Sequence, residues 1–524
     1  MISAVRVLII YMTETLRGGV MKQYLLGIDI GTSACKVAIF NKFGTVLAST
    51  NEGYPVYYPE KGYAEQNPNE WWDAVCLAIK SAIQSSGIQA SEIAGVGIDG
   101  QSWSAIAMDK DGNVLTNTPI WMDTRAHSIC ERINHEMGDE IFELAGNSLQ
   151  PSYTTAKILW YKENMPEVFQ NIDKILQSNS FIAYKLTGVL SQDKSQGYGL
   201  HCFDMRQGTW NTEMCEKLGI PSDILPEIYE CHEIVGVVTQ KAAIECGLAI
   251  GTPVVAGGLD AACGTLGAGV IHSGETQEQG GQAGGMSICS DTYKADKRLI
   301  LSHHVVPGKW LLQGGTTGGG GVMRWIEKEL GEYEREKSIQ EGKSSLDLLN
   351  DLAKEVDPCC DGLVFLPYMA GERSPIWDPN AKGVYYGLDF SKTKGHLIRA
   401  AMEGVAFSVK HNIDVAKEAG AKIDTLRAMG GSANSLLWTQ IKSDIIGKPF
   451  VVPASDTATT LGACILAGVG VGMYKDFEEA VELTVKIKRK HEPDMIQHEK
   501  YKENYKIYLE LYEKLKDTMS KGGM

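Results

Sequence analysis

The sequence has no apolar run near the about 18 residues that a membrane-crossing helix needs. It has no cysteine pair at the C-x-x-C spacing of a zinc site. It also lacks any excess of positive charge: 50 Lys and Arg stand against 65 Asp and Glu, a net charge of −15. An acidic surface repels phosphate backbones, which argues against nucleic acid and anionic membranes as general partners. Proline is scarce, 17 in 524 residues, while glycine reaches 57. Glycine in excess of proline suggests tight turns or backbone that approaches a ligand closely. The 12 cysteines are scattered from Cys35 to Cys464, and Cys359 and Cys360 are merely adjacent. They read as reduced, mostly buried thiols of a cytoplasmic protein. Residues 5–12 (VRVLIIYM) resemble a short signal core, without a small-x-small cleavage site. Residues 1–20 are therefore expected to be an extension outside the fold, before the strand-like KQYLLGIDI.

Hydrophobic residues at 44% and charged residues at 22% describe an ordinary globular chain, long enough for two to four domains. Residues 24–30 (YLLGIDI) read as a buried strand ending at Gly31-Thr32-Ser33, with KVAIF (36–40) as the next strand. Asn67 and Pro68 signal a helix start and Gly87 its stop. Residues 93–99 (IAGVGID) read as another buried strand ending in an acid. Helices are expected over 126–137, 155–164 and 179–187. A second half begins near 270, with short strands at 286–289 and 426–429 and helical periodicity over 395–419. The polar stretch 332–361 is expected to be exposed helix and loop. The tail 498–517 repeats Tyr and Leu at helical spacing, an amphipathic helix. Two α/β lobes whose glycine turns face one cleft is the natural architecture.

Glycine turns at strand ends let backbone N–H groups approach an anion. Their recurrence in both halves, beside Thr and Ser, points to a polyphosphate ligand. The familiar phosphate fingerprints fail. Gly342-Lys343-Ser344 ends like a Walker loop, but Lys337 stands where that loop needs glycine. The run GGTTGGGG (314–321) is too degenerate for a dinucleotide fingerprint; Gly318 and Gly319 within it join the candidate nucleotide-binding set. Phosphoryl transfer to an alcohol needs a phosphate cradle, a divalent cation and a carboxylate that orients the hydroxyl. Asp29, inside the first turn, is placed to hold Mg²⁺ directly or through water. Asp260 follows an apolar run and two glycines and opens a helix of small residues, which makes it equally a base candidate or a plain N-cap.

These residues together resemble the FGGY carbohydrate kinases of the actin-like ATPase superfamily, and most closely the xylulokinase-like members. The resemblance runs from about Tyr24 to the last helix. Asp29-Ile30-Gly31-Thr32-Ser33 with Lys36 is similar to the first phosphate loop, and Ser152 to Trp160 (SYTTAKILW) to the first signature. Leu366 to Arg373 (LPYMAGER), then Gly383 to Leu388 with His396, Leu397 and Glu403, are similar to the second signature and its approach. Gly430-Gly431-Ser432-Ala433-Asn434-Ser435 resembles the adenosine motif. The resemblance implies two actin-like (ribonuclease H-like) α/β lobes with a central cleft. The first, over 21–269, would bind the sugar and carry the base; the second, over 270–524, would bind the nucleotide and end in the terminal helix.

The family's base lies in a V-V-A-G-G-x-D segment, here Val254-Val255-Ala256-Gly257-Gly258-Leu259-Asp260, so Asp260 inherits that role. Asp29 matches the acid near magnesium. Gly31, Thr32, Ser33 and Lys36 match phosphate contacts, and Gly430, Gly431 and Ser435 match positions around the α-phosphate and adenosine. Two segments depart from the pattern. The sugar loop reads Gln101-Ser102-Trp103-Ser104 where xylulokinases have Gln-Met-His-Gly, and Ala261 follows the base where Asn is usual. Trp103 there offers an apolar face to a sugar, or else is a core Trp. The second phosphate loop, Gly281-Gln282-Ala283-Gly284, lacks the usual Thr and Ser hydroxyls. Trp121, Asp123 and Arg125 continue the implied sugar pocket, or form an internal salt bridge.

The implied activity is ATP-dependent transfer of a γ-phosphate to a ketose hydroxyl, D-xylulose or a related pentulose, with ATP and Mg²⁺ as cofactors. Another ketose, a polyol, or a non-catalytic sugar or nucleotide sensor are the alternatives. An actin-like ATPase that drives a partner protein is a further rival, disfavoured by the lack of paired cysteines. The expected partners are a small sugar and ATP, with neither nucleic acid nor membrane. A homodimer is left open.

Overall fold

A computed structural model describes residues 22–455 and 457–521; the extension expected over 1–20 lies outside these. The described chain folds into two units. One holds the residues through Ile271, plus Ser302–Lys309 and Thr457–Val485. The other holds His272–Leu301, the chain from Trp310 to 455, and the chain from Lys486. A division at 269/270 therefore misses the return of 457–485 to the first unit. The reason is the helix Ala458–Gly470 (ATTLGACILAGVG), which is buried over most of its length. It packs on the first unit's helix Asp260–Gly267 at backbone distance. A Cβ on Gly462 would stand 1.9 Å from Cys263 O, and one on Gly267 1.9 Å from Ala458 O. Two glycines make that approach possible.

In the first unit, strand Tyr24–Ile30 is central. It runs antiparallel to Ala34–Asn41 and parallel to Ile93–Gly100. Val46–Gly53 extends one side; Pro253–Val255 and Ile234–Val237 extend the other. The continuous apolar character of 24–30 and 93–98 follows from burial on both faces. Helix Pro68–Ser86 covers one face with Trp71, Trp72, Val75 and Ile79. It starts and stops as the sequence indicates: Asn67 Oδ1 accepts the Asn69 N–H at 3.0 Å, and Gly87 takes a left-handed φ of 72°. The helices at Thr154–Asn164 and Ser178–Thr187 match their expected spans. The one expected over 126–137 extends to Ala145, past an irregular turn at Met137, because Ile141 and Ala145 continue its buried stripe.

The sheet of the second unit includes, in order, Trp310–Thr316, Gly284–Ser290, Glu275–Gly280, Thr425–Met429, Phe450–Pro453 and Ile487–His491. Helices Lys394–Glu418 and Leu436–Ile446 pack with it, and the terminal helix Met495–Lys521 buries Tyr501, Tyr505, Tyr508 and Tyr512 along one stripe. The polar stretch after 331 forms helices Glu332–Glu341 and Ser345–Lys354. Among the described residues, no helix is long and apolar enough to cross a membrane.

Candidate active site

Register in the first sheet brings three carboxyl groups to neighbouring positions. Asp29 pairs with Lys36 on one side and with Asp99 on the other, and Asp99 in turn pairs with Gly258, two residues before Asp260. They lie at the carboxyl ends of parallel strands, where open α/β sheets bind ligands. Asp29 accepts a 2.9 Å hydrogen bond from Thr459 Oγ1. Burial raises its pKa, against the hydrogen bonds of Asp99 and Thr459 and the charge of Lys36. Asp260 is the first residue of helix Asp260–Gly267, and its Oδ1 accepts the Ala261 N–H at 2.6 Å. Burial, then the charge of Asp29, pushes its pKa up to about 7, with the Ala261 N–H opposing. A carboxylate poised there suits a general base near neutrality. Ala261 itself is exposed beside it.

Asp99 went unassigned in the sequence, although a strand ending in an acid marked it. It is fully buried, and neither oxygen has a hydrogen-bond donor. Burial raises its pKa well above the usual range, helped by the charges of Asp29 and Asp260. Asp99 is thus the most deeply desolvated acid of the three, paired in register with Asp29.

The first phosphate turn and the sugar loop are wired together. Thr32 O accepts from Gln66 Nε2 at 2.8 Å, and Gln66 Oε1 accepts from Gln101 Nε2 at 2.8 Å. Thr32 Oγ1 accepts from Trp121 Nε1 at 2.9 Å, and Gly31 O from the Tyr54 hydroxyl at 2.6 Å. Ser33 is exposed, and its carbonyl accepts the Tyr54 N–H. Gln101 is buried; its own N–H donates to Ile30 O at 2.8 Å. Ser102 is half-buried next to it.

Trp103 takes φ 60°, a left-handed conformation uncommon for a bulky residue. Lys157 Nζ, fully buried, donates to its carbonyl at 2.6 Å. Tyr153 and Tyr198 meet its ring edge-on, with centroids 4.5 and 5.6 Å away. Tyr198 packs here although no local sequence motif marked it. Burial raises its phenol pKa and Asp260's charge adds to this, while the Ser102 and Trp103 side chains oppose it, so it belongs to the same cluster.

Asp123 and Arg125 form the internal salt bridge, so neither is a free charge for substrate. Arg125 Nε donates to Asp123 Oδ2 at 2.9 Å, and its Nη2 pairs with Glu65 at 2.8 Å. Asp123 Oδ2 also accepts the Ala64 N–H at 2.7 Å. The guanidinium lies 3.9 Å over the Tyr63 ring. Of the two readings the sequence left open for Asp123 and Arg125, this pairing is the internal salt bridge.

In the second unit, three glycine turns converge. Gly320 N–H donates to Gly281 O at 2.7 Å and Gly321 N–H to Gln282 O at 2.9 Å. A Cβ on Gly319 would stand 2.3 Å from Ala283 C, and one on Gly318 2.3 Å from Pro367 O. Gly318 and Gly319 are thus buried for packing. Gln282 is exposed at the tip of its turn. Glu372 fixes the neighbouring Thr316-Thr317 bend: it accepts from Thr316 Oγ1 at 2.5 Å and from Thr317 N–H at 2.8 Å. Burial pushes its carboxyl up to about 7 against those donors.

Gly430, at φ 79°, lies against Gly280 O, where a Cβ would stand 2.9 Å away. Residues Met429, Gly430, Gly431, Asn434, Ser455 and Lys488 help line a cavity of about 270 Å³. The Ser435 hydroxyl instead caps helix Leu436–Ile446, where its Oγ accepts the Trp438 N–H at 3.1 Å. Asn434 and Lys488 stand on the cavity wall, Lys488 lying far from the motif in sequence. Under this turn Lys442 Nζ pairs with Glu278 at 2.6 Å and donates to Ser432 Oγ at 2.8 Å, fully buried.

Carboxylates at strand ends in one unit and glycine turns around a cavity in the other are the parts of a phosphotransferase acting on an alcohol. Residues 24–267 match the N-terminal domain, and residues 286–471 the C-terminal domain, of the FGGY family of carbohydrate kinases. The chain belongs to that family, whose members transfer phosphate to a sugar hydroxyl. It is 30% identical to a xylulose kinase of Bacillus subtilis over 94% of this chain and 98% of that one. It is 31% identical to a gluconokinase of the same organism, over 88% and 90%. Its structure resembles that of a xylulose kinase from Rhodospirillum rubrum with TM-score 0.88, 28% identity, and coverage of 95% and 100%.

Proposed function

We propose that the chain is an ATP-dependent kinase of a neutral ketose, D-xylulose or a related pentulose, with Asp260 as the base. The single observation carrying this is Asp260, held at a helix start with its pKa raised to about 7 beside Asp29. Asp260 accepts the proton of the attacking hydroxyl, and its contact with the Ala261 N–H fixes the carboxylate. Gln101, Ser102 and Trp103 orient the sugar, with the Trp103 loop fixed from behind by Lys157. Asp29 is the acid suited to hold Mg²⁺, being an oxygen donor beside a second carboxyl group; the ion supplies charge neutralisation at the transferred phosphoryl. Gly430, Gly431 and the cavity beside them take the nucleoside part of ATP.

Relatives of similar identity are named for xylulose and for gluconate. The side chains favour a neutral substrate. A sugar carboxylate wants an unspent cation, yet Arg125 is committed to Asp123 and Glu65, and Lys157 to the Trp103 carbonyl. Release of ADP with ATP, Mg²⁺ and a panel of ketopentoses, ketohexoses, polyols and aldonates tests this. Turnover is expected with a ketopentose. A kcat/KM higher for gluconate than for every neutral sugar would overturn the substrate assignment while leaving the kinase assignment intact.

A further inference from the structure

Strand Ser191–Asp193 and the 3-10 turn Lys194–Gly199 carry buried polar side chains that the reaction as described does not use. Asp193 Oδ1 accepts from Ser195 Oγ at 2.5 Å and from the Gln196 N–H at 2.9 Å. Its Oδ2 accepts from Asn179 Nδ2 at 3.0 Å. None of these four residues has exposed surface. A buried carboxylate is costly unless its oxygens are satisfied, and a satisfied network fixes one geometry.

Bonds leave this hub in two directions. Toward the base, Ser195 Oγ accepts the Leu259 N–H at 2.9 Å, and Asn179 Nδ2 donates to Ala256 O at 3.1 Å. These hold both ends of the segment that delivers Asp260. Toward the sugar loop, Gln196 Nε2 donates to Gly100 O and Gln196 Oε1 accepts the Trp103 N–H, each at 3.4 Å. Gln196 Nε2 also donates to Asn179 Oδ1 at 3.0 Å, which closes the network. The loop needs support there, because Trp103 sits at a positive φ.

We infer that Asp193 is a positioning residue: through Ser195 it sets the segment 256–260 that carries the base, and through Gln196 it sets the sugar loop 100–103. The inference rests on the kinase reading above and adds a division of labour to it. A displacement of about 1 Å at a reacting group costs on the order of 10²-fold in rate. Ser195→Ala is expected to lower kcat roughly tenfold with little change in sugar KM, a partial displacement on that scale. Gln196→Leu is expected to raise sugar KM more than it lowers kcat. Asp193→Asn should do both, and the double variant Ser195→Ala/Gln196→Leu should be no worse than Asp193→Asn alone.

Hydrogen–deuterium exchange of the substrate-free protein reads the same division without catalysis. Ser195→Ala should quicken exchange over 256–262 alone, and Gln196→Leu over 100–105 alone, with the strand Tyr24–Ile30 unchanged. Equal losses in kcat and KM for both single variants, or exchange that rises evenly across the first unit, would overturn the inference. A wild-type protein that phosphorylates no sugar defeats the kinase reading instead, and the exchange pattern still decides the positioning. Should Asp193→Asn not fold, the two single variants carry the test.

Discussion

The two units solve the binding of charge in opposite ways. In the first, chemistry is carried by side chains: Asp29, Asp99 and Asp260 converge through strand register, and desolvation raises the pKa of each. In the second, the candidate nucleotide region is backbone: glycine turns at 280–284, 318–321 and 430–431 pack against one another, and the charged pair Lys442–Glu278 is hidden beneath. The first should thus be broken by small changes of functional group, the second by changes of support that leave its surface chemistry untouched.

The sharpest test of the first half is Asp260→Asn, which keeps shape and removes the proton acceptor. A general base is worth about 10²–10⁴-fold, so kcat should fall by that much with the folded fraction unchanged; turnover within about threefold of wild type would defeat the assignment. The same group sets a pH dependence. The ionised form is the base, and its pKa is raised to about 7. Activity should therefore be full above that pH and fall about tenfold per unit below it. Asp29's charge contributes to the shift. A cation that neutralises Asp29 should move the acid limb to lower pH, so profiles at low and high Mg²⁺ should separate.

Breaking the second half calls for Lys442→Met. It leaves Glu278 buried and unpaired, and removing one partner of a buried pair costs about 3–5 kcal/mol. Denaturant unfolding should show a loss of that size, and Glu278→Gln added to Lys442→Met should recover part of it. If the single variant is as stable as wild type, the pair does not support the turn.

How far the sequence revealed this depends on the kind of signal. Apolar runs, caps and the terminal stripe of tyrosines were legible, because burial and helix ends act locally: Asn67, Gly87 and Tyr501 to Tyr512 stand where the pattern puts them. Asp29 and Asp260 were legible as strand-end and helix-start acids. Asp99 carried the same mark, yet its partnership with Asp29 depends on parallel register, which no local pattern shows. Tyr198, Asp193 and Lys488 reach their places through long-range folding. Arg125 and Asp123 were legible as a charged pair, whereas Glu65, which shares the cation, lies about 60 residues away and carried no local mark. The return of 457–485 to the first unit was hidden for the same reason: an apolar helix declares that it is buried and not against what.

The mildest change probes the boundary between support and contact in the second unit. Ser435 resembles a nucleotide-motif residue, yet its hydroxyl is the cap of helix Leu436–Ile446. Losing an N-cap serine costs about 1 kcal/mol. If capping is its whole role, Ser435→Ala should lower stability by that amount and leave the KM for ATP unchanged, whereas Asn434→Ala, on the cavity wall, should raise that KM with little loss of stability. The opposite pairing, with Ser435→Ala weakening ATP binding and Asn434→Ala silent, would move the nucleotide contact from the cavity wall to the helix cap. It would also show that a side-chain hydroxyl does in the second unit what the glycine backbone is expected to do there.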